Sequence, residues 1–239
     1  MVIVIYANIL SSVQKRNKGI LLPIYRDLEK NLNNDYIFSY TAATLMLHET
    51  DEVMKRYLEY KDWDKVKDLV IEENIMQKQS VSSRKRVFTE IKRRIESLTS
   101  NQLEFINEAN SSDIRNLIFL SILKTYRFIF EFMAEVISKK VLMFDYKILN
   151  SDYETFFESK KYAVEQLENI TEATQYKLKQ VLFRILEEAM VIDNTKSKNI
   201  LKPHLSGEVI ELIVKDNPVY LKAFLYTDYE IEKMKERYL

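Results

Sequence analysis

Cysteine is absent and glycine nearly so: the chain has no Cys and two glycines, Gly19 and Gly207. Without Cys there is no disulfide framework, thiolate zinc site, iron–sulfur cluster or thiol nucleophile. Phosphate-cradling loops need glycine so that the backbone can approach the anion. Neither a P-loop nor a dinucleotide fingerprint can therefore be drawn from this sequence. Three prolines and two glycines also leave few turn-formers for a β-sandwich or barrel. Histidine is scarce as well, with His48 and His204 far apart. A metal site or a Ser-His-Asp relay would have to use one of these two, and single histidines on helices are usually structural. No enzyme active site, cofactor or small-molecule substrate is expected.

A surplus of one charge is also missing. Lys+Arg and Asp+Glu stand at 36 each in 239 residues, so attraction to a charged partner must be local. The segment from Asn116 to Leu142 is strongly apolar, but Lys124, Arg127, Glu131 and Glu135 interrupt it. A spanning helix needs about 20 residues with few charges. These four fall on one narrow stripe at helical spacing, the pattern of a core helix showing one edge to water. Met1 to Leu10 is apolar but too short to span, and lacks the basic flank of a signal peptide. It reads as a short strand or the opening of a helix. No membrane partner is expected, and the expected location is cytoplasmic.

What the sequence does carry is helical periodicity. Glu49, Thr50 and Asp51 precede Val53, Met54, Tyr57 and Leu58, and Asp62 precedes Trp63, Val66, Leu69 and Val70. Ser80, Ser82 and Ser83 offer caps for a third helix to about Leu98, and a short fourth follows around 101–109. Ser112 and Asp113 cap a long central helix to about Lys140. Asn150 to Asp152 open a helix carrying Phe156 and Phe157, and Thr171 or Thr174 caps an amphipathic helix to about Met190. Val191-Ile192, the polar run Asp193 to Lys198 and Asn199 to Pro203 follow, then helices near 206–215 and 228–238. A helix followed by two short apolar pieces around a basic turn has the order of a winged helix, although a plain loop would read similarly. The class expected is all-α, with at most a short β-hairpin. The signals divide the chain into an N-terminal segment (1–35), a helical bundle with a basic recognition-type helix (36–110), and a helical domain with a winged-helix-like part (111–239).

Residues 78 to 94 hold seven positive side chains (Lys78, Arg84, Lys85, Arg86, Lys92, Arg93, Arg94) against one acid, Glu90. On a helix, Val87, Phe88, Ile91, Ile95 and Leu98 fall together and face the core. Lys85, Arg86, Thr89, Lys92 and Arg93 fall on the other side as a basic rectangle. Like charges at these spacings destabilise a helix by tenths of a kcal/mol per pair. The shorter helix before this one gives helix-turn-helix order with the basic helix in the recognition position. Nucleic acid is thus the expected partner, and a merely solvated face is the plain alternative. A second stripe, Lys177, Gln180 and Arg184, lies on the helix before the basic turn, with Lys196 and Lys198 in the turn itself. A salt bridge from Arg184 to another helix is the alternative there. The single Trp63 reads as a core anchor rather than a base-stacking platform.

Three stretches resemble the BrxA family of BREX phage-resistance systems: Trp63 to Arg94 (WDKVKDLVIEENIMQKQSVSSRKRVFTEIKRR), Leu123 to Val136 (LKTYRFIFEFMAEV), and Tyr153 to Glu188. The resemblance spans roughly residues 36 to 215 in order. It implies a small, helical, non-catalytic component encoded beside an ATPase, a methyltransferase and other BREX proteins. It also implies DNA binding, winged-helix-like parts and a fold likened to the antitermination factor NusB. The first 35 residues depart from the usual family start, a short polar lead. An inner-membrane description attached to the family conflicts with the charges inside the long helix. The expectation is a DNA-binding accessory subunit that contacts duplex phosphates through Arg84, Lys85, Arg86, Thr89, Lys92, Arg93 and the second stripe. A scaffold subunit binding other defence proteins and an RNA-binding, NusB-like protein are the alternatives.

Overall fold

The computed structural model describes residues 36–162 and 164–239. In it, most helices begin where a short polar side chain caps them. After a 3-10 turn at Ser39–Ala42 come α1 (Leu47–Tyr60), α2 (Trp63–Glu72) and α3 (Val81–Glu96). The Asp62 carboxylate accepts from the Asp64 and Lys65 amides, and the Ser80 hydroxyl from the Ser83 amide. Helix α1 differs. It opens ahead of its expected acidic signal, at Met46, which stands at φ 49° and lends no side-chain cap. A Thr99–Gln102 capping box starts α4 (Ser100–Glu104), and Asn110, rather than Ser112 or Asp113, caps α5 (Ser111–Thr125).

The remainder runs through α6 (Arg127–Phe132), a π-helical turn at Met133–Ile137, α7 (Ser138–Leu142), α8 (Asn150–Lys161) and α9 (Glu165–Glu168). Then follow α10 (Glu172–Glu188), α11 (Gly207–Asp216), a 3-10 stretch at Pro218–Phe224 and α12 (Asp228–Tyr238). Extended pairing among the described residues is limited to two isolated antiparallel bridges, Lys147 with Asn199 and Ile192 with Ile200. The chain is all-α, as its patterning predicts. The short strand or helix opening expected at Met1 to Leu10 lies outside the described residues.

The helix expected from about 113 to 140 is not continuous. It breaks at Tyr126, whose backbone turns to φ −117°, ψ 89°. At the break the Tyr126 side chain is held on several sides. Its hydroxyl donates to the Glu90 carboxylate at 2.8 Å and accepts from Arg94 Nε at 2.9 Å, while its ring meets Tyr40 edge-on. Burial pushes the hydroxyl up to about 12, against the pull of Arg94, so it stays a donor at neutral pH. Arg94, counted in the basic run but not on its outward face, is itself fully buried. Its two terminal nitrogens donate at 2.5 Å to the Thr44 and Ala43 carbonyls.

Around this anchor α3 turns Val87, Phe88, Ile91 and Ile95 inward, against α5 and α1. Leu117 to Leu123 of α5 are buried without exception, as suits a helix surrounded on every side. Phe128, Phe132, Tyr153, Phe156, Phe157 and Phe183 make a second cluster, with ring centroids 5.1–6.4 Å apart. Of the four charges of the central segment, Glu131 is buried and Lys124, Arg127 and Glu135 are partly exposed, and all four are paired. Lys124 pairs with Asp216 at 2.8 Å and Arg127 with Glu131 at 2.5 Å; Lys160 reaches both Glu131 and Glu135. No helix among the described residues is long and apolar enough to cross a membrane.

The core can be tested at two positions. Arg94→Met strands the Ala43 and Thr44 carbonyls and removes a buried charge from its hydrogen bonds. It should cost about 3–5 kcal/mol in urea unfolding, whereas Arg86→Met on the outer face should stay within about 0.5 kcal/mol. A loss under about 1 kcal/mol for Arg94→Met would contradict the anchoring role. The Tyr153 hydroxyl is buried with no hydrogen-bond partner among the described residues. Tyr153→Phe should therefore leave the melting temperature unchanged or raise it, and a clear drop would mean the hydroxyl is satisfied.

Candidate nucleic-acid interface

The outer face of α3 holds the first group of expected contact residues, and their surroundings differ. Lys85 and Arg86 are exposed and make no side-chain ion pair or hydrogen bond among the described residues. Thr89 is exposed, its hydroxyl bonded back to the Lys85 carbonyl. Lys92 lies 3.7 Å from Glu96 and 5.3 Å from the Trp63 ring, which stacks on Tyr57 at 4.0 Å. Arg93 is held by the buried Glu90 at 3.1 Å and by the Ser39 hydroxyl at 2.7 Å. Arg84 turns back to the connection between α2 and α3. It donates to the carbonyls of Ile71, Lys78 and Gln79 and so pins residues 73–80.

The second group is brought together by the fold. Lys177, Gln180, Arg184 and Lys198 line one cleft of about 470 Å³, together with Asn150 and Thr195. On α10, burial of Leu178, Val181, Leu182 and Ile185 turns Tyr176, Lys177, Gln180 and Arg184 outward. Lys177 donates to Gln180 at 3.0 Å. Arg184 is exposed but committed within its own helix, to Glu187 at 3.0 Å and Glu188 at 2.8 Å, rather than to another helix.

The turn after α10 is organised by two short side chains. The Asp193 carboxylate accepts from the Asn194 and Asn199 amides and from the Ser197 hydroxyl; Asn194 accepts from the Lys196 and Ser197 amides. Burial works against the Asp193 charge, but these bonds hold its carboxyl below the usual range. Lys196 projects from this turn exposed, and Lys198 reaches Asn150 at 3.2 Å across the Phe183 ring. Residues 199–201 sit between 191–193 and 146–148. The Leu201 amide donates to Val191, the Asp193 amide to Asn199, the Ile200 amide to Tyr146 and the Ile148 amide to Lys198. The order is therefore helix, paired stretch, helices α8 to α10, and a hairpin whose turn carries the lysines.

Sequence reasoning did not place Asn150, Tyr176 or Lys179 in this cleft. Tyr176 carried a usable signal, an aromatic beside Lys177 on the helix side opposite Leu178 and Leu182. Asn150 comes from a helix start remote in sequence and carried none. Neither histidine joins a metal-type cluster, and no group of three or more His, Cys, Asp or Glu able to hold a metal occurs among the described residues.

The two kinds of cation on α3 should behave oppositely. Arg84→Ala removes three partly exposed hydrogen bonds, the Ile71 carbonyl keeping the Asn74 amide, and should cost about 1 kcal/mol, whereas Lys85→Ala should stay within about 0.5 kcal/mol. Equal effects in chemical denaturation would contradict the distinction.

Comparison with known proteins adds the family. A family model described as BrxA matches residues 34–217. A BREX protein BrxA from Bacillus cereus (strain H3081.97) is 33% identical over 155 residues, covering 64% of this chain and 77% of that protein. In fold, the chain is similar to a crystal structure of an uncharacterized protein from Magnetospirillum magneticum. The TM-score is 0.70 at 19% identity, covering 79% of this chain and 97% of the other. With the matched region taking in α1 to α11, the chain belongs to the BrxA family.

Proposed function

We propose that this chain is a non-catalytic, DNA-binding component of a BREX phage-defence system. The carrying observation is the cleft in which Lys177, Gln180 and Arg184 of α10 meet Lys198 of the following turn, residues that the sequence keeps apart. Helix α10 and the turn at 194–198 act as the third helix and wing of a winged helix, lying together along a duplex backbone. Lys177, Lys196 and Lys198 supply charge to phosphates, and Gln180 a neutral hydrogen bond. Arg184, shared with Glu187 and Glu188, contributes less. On α3, Lys85 and Arg86 are the free phosphate contacts, Thr89, Lys92 and Arg93 flank them, and Arg84 holds the turn that aims the helix. The contacts read backbone rather than base edges, so affinity is carried by charge and falls with salt.

One observation favours a protein-binding role beside this one. Leu142, Met143, Phe144, Tyr146 and Leu149 are each more than half exposed, and Phe144 is 80% exposed. An apolar cluster of this kind on a folded surface marks a contact site for another protein. Other BREX proteins are the partners proposed for it.

An electrophoretic shift with duplex DNA, single strands and RNA at several salt concentrations tests the reading. Duplex should bind best. Lys177→Ala/Lys198→Ala and Lys85→Ala/Arg86→Ala should each make the salt slope shallower, by up to ~0.9 for every phosphate that loses its cation. Met143→Ser/Phe144→Ser should leave DNA affinity unchanged. Preferential binding of RNA, or slopes that no variant alters, would overturn the proposal.

A further inference from the structure

A second cleft, of about 620 Å³, adjoins the first, and Thr44, Lys177 and Val181 line both. Its walls draw three cations from three separate parts of the chain: Lys78 ahead of α3, Arg115 early in α5, and Lys177 on α10. Residues Thr41 to Thr44 and the first turn of α1 make up much of the remainder. Neither the Lys78 ammonium nor the Arg115 guanidinium has an ion-pair or hydrogen-bond partner among the described residues, although both side chains are only partly exposed. Three carboxylates also line the cleft: Glu49, Glu187 and Glu188. Two of them are already engaged, since Arg184 holds both Glu187 and Glu188, and Glu188 also accepts from the Leu45 amide at 2.8 Å. One Arg184 charge offsets only one of these two carboxylates, so the three cations meet Glu49 and one further acid charge, and Lys78 and Arg115 are the cations without a partner among the described residues.

Two unpartnered cations in a concave wall offer an incoming anion a local attraction that the engaged carboxylates only partly offset. Nothing in the core requires this placement, because Arg115 and Lys78 support no helix cap or ion pair among the described residues. Arg115 offers a planar fork of donors suited to a phosphate, and Lys78 and Lys177 offer point charges beside it.

We infer that this cleft binds a phosphate group of the nucleic-acid backbone, held by Arg115 and Lys78 beside Lys177. This rests on the DNA-binding reading above and extends it: the grip runs from the wing, across the strap of residues 41–44, onto the part of the chain that precedes α3. Lys177 belongs to both clefts and links the two contacts. A free phosphate compound would satisfy the same chemistry, so the test separates the sources.

Duplex DNA is titrated at several salt concentrations against the full chain, Lys78→Gln/Arg115→Gln, Arg115→Lys and Lys177→Ala/Lys198→Ala, with melting temperatures measured with and without inorganic pyrophosphate. The Lys78→Gln/Arg115→Gln variant should melt like the parent, because it breaks no ion pair or hydrogen bond within the described residues. Its salt slope should be shallower by up to ~0.9 for each of the two cations removed, and Arg115→Lys should retain most of the parental slope. An unchanged slope in this variant beside a shallower one in Lys177→Ala/Lys198→Ala overturns the second cleft and leaves DNA binding through the wing standing. If the parent binds no DNA but pyrophosphate raises its melting temperature and not that of the double variant, the phosphate site stands with a free phosphate as its ligand, and the DNA reading falls. No DNA binding and no pyrophosphate effect would overturn both.

Discussion

The buried guanidinium of Arg94 is the interaction on which the rest of this structure depends. It lies on the inner side of α3 and joins three parts of the chain: the strap at Ala43 and Thr44, the Tyr126 hydroxyl where the central helix breaks, and, through that hydroxyl, Glu90. A buried charge is tolerable only when its donors are satisfied, and here every nitrogen has an acceptor. Lysine could not substitute, since one ammonium cannot reach in these diverging directions. Fixing the inner side of α3 also fixes which way Lys85 and Arg86 face. Fixing the strap sets the wall at Thr44 that both clefts share.

A second polar centre does similar work at Glu131, five residues beyond Tyr126 in the central segment. Glu131, largely buried, accepts from Tyr36 at 2.5 Å and pairs with Arg127 and Lys160. Burial opposes its charge, but these partners together hold the carboxyl below its ordinary range. The segment 127–142 thereby carries charge inside an aromatic cluster without a penalty that would expel it. The stripe of charges is a set of partly exposed struts, tying α6 to α8 and α5 to α11.

The regular parts of the fold were legible in the sequence. The buried side of α3, the inward residues of α10 and the cap at Asp62 follow from spacing and side-chain chemistry alone, whereas the structure selects Ser80 from three candidate serines and Thr171 from two candidate threonines. Spacing also identified Lys177, Gln180 and Arg184 as one stripe. What spacing could not register was partnership at long range. Arg94 falls at the edge of the apolar stripe of α3, seven residues after Val87 and three after Ile91, but spacing names none of its acceptors, two some fifty residues upstream and one at Tyr126. Tyr126 is an ordinary helix residue until Glu90 and Arg94 claim its hydroxyl. Arg115 and Lys78 come to line one cleft only when α5 and the lead into α3 are folded together.

The scarcity of glycine has a consequence for how the turns are made. Among the described residues, eight other than glycine stand at positive φ: Met46, Lys61, Asn74, Gln77, Phe144, Met190, Lys198 and Leu225. Gly207, by contrast, sits at the start of α11 with an ordinary negative φ. A side chain in the left-handed region costs roughly 1–2 kcal/mol relative to the right-handed one, and glycine avoids that penalty. Strain is therefore spread over many junctions between helices, and the chain holds a reserve of unrealised stability in its connections. Leu225 is buried, but at exposed corners such as Lys61, Gln77 and Met190 evolution or a protein engineer could raise heat tolerance with no atom of the core disturbed.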